Sequence, residues 1–111
     1  MELARVTAEY KEGGHGYSDY RIVILCGIDQ ECRLAQGEWF GYVRNEKIFY
    51  PFVLRHGKEF FYGGDEPWTE PTNIGQREIK VGTHFTLSNS PDDTESFDAV
   101  YAVTNIHPVA G

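Results

Sequence analysis

Nine of the sixteen aromatic side chains in this 111-residue chain fall between Trp39 and Tyr62, in short runs cut by Asn45-Glu46 and His56-Gly57. Aromatic and β-branched residues suit a pleated, half-buried surface, and each ring can bury on the order of 150–250 Å². The block therefore predicts strands at the centre of a small β domain. The rest of the chain reads the same way. Glu2 to Tyr10 alternates, with Ala4, Val6, Ala8 and Tyr10 on one parity, the mark of a half-buried strand. Tyr20 to Ile28 is apolar on both parities, which predicts a central strand covered on two sides.

Glu38 to Arg44 sets Trp39 and Val43 against Phe40 and Tyr42. Lys47 to Leu54 follows, with Pro51 marking an edge or a bulge because proline cannot donate to a ladder. His56-Gly57 then turns the chain into Lys58 to Tyr62, completing a hairpin over 47–62. Arg77 to Leu87, bent at Gly82, and Phe97 to Ile106 supply the last two strands, separated by a polar tip over 88–96. The only helical expectation is a turn or two over Asp29 to Gln36, with Cys32 and Leu34-Ala35 inward. Gly63 to Gln76 reads as one long loop, and loops of that length are disproportionately functional. The fold class is thus all-β: one domain over residues 1–111, a small barrel or sandwich of six to seven mostly antiparallel strands with little helix.

Composition excludes several classes. The apolar fraction is 41% and the charged fraction 24%, ordinary for a globular protein. The longest apolar run, Ile22 to Cys26, is far below the roughly 20 residues of a membrane helix, and no apolar stretch follows the charged start Met1-Glu2-Leu3-Ala4-Arg5 as a secretory signal requires. The expectation is a cytoplasmic protein with free thiols at Cys26 and Cys32 and no membrane partner. The net charge is −7. Residues 1–55 carry seven Lys/Arg against eight Asp/Glu, and residues 56–111 carry three against nine. A polyanion would be repelled by the second half, so nucleic acid is not an expected partner.

No motif assigns a reaction. Gly13-Gly14-His15-Gly16 lacks the GxGxxG form and its strand-to-helix context. His15, His56, His84 and His107 share no ligand spacing, and Cys26-x5-Cys32 is wider than a zinc pair. The acids Asp92, Asp93, Glu95 and Asp98 do not match the calcium-loop spacing. Neither a GxSxG elbow nor an activated cysteine is present. No metal and no cofactor is expected, and catalysis is the lesser expectation. Asp65, Glu66 or Glu70 could do acid–base work only by projecting into an aromatic-lined cleft, where burial raises a carboxyl pKa.

The candidate binding residues join the aromatic hairpin to the long loop. They are Trp39, Tyr42, Tyr50, Tyr62 and Trp68, with Arg44, Asp65 and Glu66 as polar anchors, because rings with a polar edge favour interfaces. Around 47–54 both parities are apolar, Ile48, Tyr50, Phe52 and Leu54 against Phe49, Pro51 and Val53. One interior cannot bury both sets. The functional expectation is therefore a binding or assembly module that self-associates as a dimer, or meets another protein, through the outer face of the hairpin. The alternative is a small-molecule barrel or enzyme with its site under the 63–76 loop.

Overall fold

Alternation along each segment is converted into a single antiparallel sheet that curls until its ends meet. The computed structural model describes residues 1–12, 15–63, 67–88 and 98–109. Its strands are β1 (Glu2–Glu12), β2 (His15–Ile28), β3 (Glu38–Asn45), β4 (Ile48–Arg55), β5 (Glu59–Tyr62), β6 (Trp68–Pro71), β7 (His84–Ser88) and β8 (Asp98–Pro108). The sheet order is β6-β5-β4-β3-β2-β1-β8-β7. Every strand lies beside its sequence neighbour and β8 returns to β1, so the topology is up-and-down. Among the described residues the remaining seam, β6 against β7, is joined by one bridge, Thr72 to Leu87. Side chains reinforce it: the Thr72 hydroxyl donates to Thr86 O at 2.7 Å, and Thr86 N–H donates to Asn73 Oδ1 at 2.8 Å. The result is a nearly closed eight-stranded barrel, one or two strands more than the sequence predicts.

An eight-stranded barrel is just wide enough for its own side chains to fill. Here they do. Val6, Ala8, Ile22, Ile24, Cys26, Val43, Phe52, Leu54, Phe60, Tyr62, Phe85, Leu87, Tyr101 and Val103 converge on one core. Phe52 and Phe60 stack at 4.0 Å, and Gly41 leaves room for them, since a Cβ there would lie 2.9 Å from the Phe52 ring.

Two register shifts adjust the pattern. Between β1 and β8 the pairing steps from Thr7–Asn105 to Ala8–Val103, which brings both Val103 and Ile106 toward the core. Between β1 and β2 it steps from Glu9–Arg21 to Tyr10–Tyr17, so Ser18, Asp19 and Tyr20 have no counterpart on β1. Bulges of this kind sit characteristically at barrel rims. This one gathers Tyr17 and Tyr20 around Tyr10.

Four local expectations are corrected. Residues 29–36 form no helical turn. The Asp29 carboxylate instead accepts N–H bonds from Glu31 and Arg33, Cys32 takes φ 60°, and Leu34 bridges back to Ile28. The 63–76 segment is not one loop, because it contains β6 and a 3-10 turn over Ile74–Gln76. The strand expected from Arg77 begins only at His84. Before it, Ile79 is buried by an irregular segment that Gly82 turns at φ 96°. Finally, β2 is covered on one face only, with Leu25 43% exposed on the other. The polar tip lies outside the described residues except for Ser88.

The hairpin over 47–62 forms as β4 and β5, and His56 and Gly57 turn it with φ 54° and 68°. Two successive positive φ values match the right-handed twist of the flanking strands. Pro51 is tolerated because β5 pairs with β4 only from Val53 onward, so on that side Pro51 has no ladder to interrupt. Its edge character is local.

Candidate functional site

The sequence-derived binding residues are distributed over three places. Trp39 lies inside the barrel wall at the end opposite the tyrosines, where its indole N–H donates to Ala35 O at 2.9 Å and its ring packs against the core. That is a structural position. Tyr42 and Arg44 lie on the outer face of β3. Tyr50, Tyr62 and Trp68 lie at the open end of the barrel. Asp65 and Glu66 fall outside the described residues.

The outer face is built by register. With Val43, Phe52, Leu54, Phe60 and Tyr62 inward, the opposite parity of β2 to β5 must face out. One row across the strands reads Leu25, Phe40, Val53, Phe61 and the next reads Val23, Tyr42, Pro51. Phe49 extends the patch beyond them, 5.2 Å from the Tyr42 ring. Phe40 is 61% and Phe49 54% exposed. The N-terminal strand and the described residues 67–76, either of which could have covered this face, are instead staves of the barrel wall or its closing turn.

Arginines edge the patch. Arg44 sits over Phe49 at 5.6 Å and donates from Nε to Glu46 O, while Arg55 sits over Phe61 at 3.8 Å and pairs with Glu59. Arg5 and Arg21 share the same outward parity, as do Glu9, Glu38 and Glu59. Lys11 and Asp19 share that parity too, and five cations against four carboxylates leave the outward face of β1 to β5 near neutrality in a chain of net charge −7. Arg21 Nε is buried with no acceptor among the described residues.

The open end is a ring of tyrosines. Tyr10 lies 6.0 Å from Tyr17, 6.4 Å from Tyr20 and 5.7 Å from Tyr101, and Tyr62 stacks on Trp68 at 4.4 Å. Tyr20 also donates its hydroxyl to Glu46 Oε1 at 2.7 Å. Two cavities open here. One, of about 190 Å³, is lined by Val43, Asn45, Tyr50, Tyr62, Trp68 and Glu70. The other, of about 260 Å³, is lined by Tyr10, Glu12, Tyr17 and Tyr20.

Glu70 is the residue that sequence reasoning placed in a loop and the fold places in a wall. It pairs with Phe60 across the β5–β6 ladder and therefore faces the interior. Burial raises its carboxyl pKa, opposed in part by the hydrogen bond from the Tyr62 hydroxyl. Burial likewise raises Tyr62, with the Glu70 charge adding to it, and pushes Tyr101 up to about 12, Glu70 again contributing. A carboxyl projecting into an aromatic-lined cleft is thus realised by Glu70. The signal was the shared parity of Trp68 and Glu70, masked by the flanking prolines.

Among the described residues, no group of three or more His, Cys, Asp or Glu side chains could hold a metal ion, and no helix is long and apolar enough to cross a membrane. No protein-family model matches this chain, and no curated protein or solved structure matches it significantly.

Proposed function

We propose that the protein is a non-enzymatic assembly module that associates with a second copy of itself through the outer face of β2 to β5. The observation that carries this reading is the unbroken apolar row Leu25, Phe40, Val53, Phe61, two of whose members lie on the central hairpin. Contiguous apolar surface of this kind on a small domain marks an interaction site, whereas single exposed apolar residues do not.

Charge supports the choice of partner. Two copies of a −7 chain carry like net charge, and the local balance on this face is close to zero, so charge does not oppose their meeting here. Both signs edge the patch, so a two-fold axis can set Arg55 or Arg5 of one copy against Glu38 or Glu59 of the other, as an isologous contact requires. A polyanion would meet Glu9, Glu38 and Glu59 among the arginines. A basic partner would meet the arginines themselves.

Light scattering on a size-exclusion column tests the reading. At tens of micromolar the mass should be close to twice 12.7 kDa, and Phe40→Ser should return it to the monomer value with an unchanged far-UV spectrum. A strictly monomeric wild-type chain at that concentration overturns it.

A further inference from the structure

The cavity at the open end of the barrel holds three aromatic side chains, a carboxyl and an amide, and among the described residues no lysine or arginine lines it. Its neighbour has the same chemistry, three tyrosines and Glu12. Tyr101 connects the two, in contact with Tyr10 on one side and within the field of Glu70 on the other. We infer that the open end of the barrel binds a small organic cation, an ammonium head group held by the Glu70 carboxylate and enclosed by Tyr50, Tyr62 and Trp68.

Each feature bears on the charge of the ligand. Aromatic rings attract a cation through their electron-rich faces, and the attraction grows where water is excluded. A carboxyl on the inner wall is costly there without a counter-charge, and among the described residues its direct partner is the neutral Tyr62 hydroxyl. For holding Tyr62 alone a glutamine would serve as well. The carboxylate gains its full interaction only when a positive group enters. An anion would be repelled by Glu70, and a neutral guest would leave Glu70 without a counter-charge.

Size and field agree with this. A volume of about 190 Å³ equals roughly six waters at about 30 Å³ each, enough for a substituted ammonium group and too small for a nucleotide. The net charge of −7 draws cations toward the protein generally. This surface is separate from the outer face of β2 to β5, so the inference stands whether or not the chain dimerises.

The test uses choline and its uncharged isostere 3,3-dimethylbutan-1-ol, titrated at low salt by calorimetry, with tryptophan emission reporting on Trp68. Choline should bind saturably at millimolar concentration or below, at least about tenfold more tightly than the isostere, and perturb the emission. Glu70→Gln should abolish that preference while circular dichroism shows the fold retained, and Trp68→Ala should weaken choline binding as well. Equal binding of the two probes, or unchanged choline affinity in Glu70→Gln, overturns the cation assignment. Absence of saturable choline binding to the wild type overturns it too.

Discussion

Replacing Phe40 by serine separates a surface role from a packing role, because Phe40 keeps 61% of its surface in water within one chain. A phenylalanine presents on the order of 200 Å², so about 120 Å² per ring is left for a partner to cover. At about 25 cal/mol per Å² that is worth about 3 kcal/mol per copy and about 6 kcal/mol per dimer. Association costs take back a large share, and if half survives, the dissociation constant rises about 100-fold. Sedimentation equilibrium over a concentration series measures this directly.

The control is Phe60→Ala, inside the barrel and fully buried. It should cost about 3–5 kcal/mol of folding stability and lower Tm by more than about 10 °C, whereas Phe40→Ser should leave the monomer's unfolding free energy within about 0.5 kcal/mol. If Phe40→Ser destabilises the fold as much as Phe60→Ala, the ring is packed within its own chain and the argument for a partner is wrong. An unchanged dissociation constant for Phe40→Ser refutes the interface in the same way.

Other outcomes follow from single sites. Glu70 has a raised pKa in the fold because burial disfavours its charge, so the stability it contributes is fully present below its unfolded value of about 4.5 and is lost as pH rises through the folded one. Glu70→Gln should therefore be more stable than wild type at pH 7, with a difference that shrinks toward pH 4 in paired urea melts. A constant difference across that window would contradict the assignment. Burial pushes the Cys26 thiol up to about 12, so a maleimide should label Cys32 first in the native protein and reach Cys26 only on unfolding, as read by peptide mass spectrometry. Gly57→Ala should lower stability by more than about 1 kcal/mol. The reason is that φ is 68° there and the new Cβ would lie 2.7 Å from Gly75 Cα, and a chemical melt equal to wild type would show that the hairpin end yields.

Legibility differed between the two candidate surfaces. The outer face was largely readable, since β4 is apolar on both parities and one interior accepts only one of them. Phe49 and Val53 follow from that alone, and Phe61 joins them through the short turn at His56-Gly57. Leu25 and Phe40 do not, because their membership depends on which strand lies beside which, and that is set by the register of β2 with β3 and of β3 with β4. The open end was scarcely readable. Tyr10, Tyr20, Tyr62, Glu70 and Tyr101 come from five different strands, and the bulge that sets Tyr17 and Tyr20 beside Tyr10 leaves no mark in the alternation.

What the sequence determined by itself is the β character of the chain, the hairpin over 47–62 and the inward parity of most strands, because a period of two and a pair of turn residues act over only a few positions. It also misread 29–36 as helical and 77–83 as strand. In both places the backbone follows a local carboxylate bond, a bridge or a buried isoleucine rather than a periodic pattern. Only the tertiary structure decided that there are eight strands, that they close through Thr72, Asn73 and Thr86, and that closure turns the ends of separate strands into a single tyrosine-lined opening. The physical reason is range: alternation records which side of a strand meets water, whereas closure and the meeting of Glu70 with Tyr62 and Tyr101 depend on pairings between residues far apart in the chain, whose free energy no local pattern encodes.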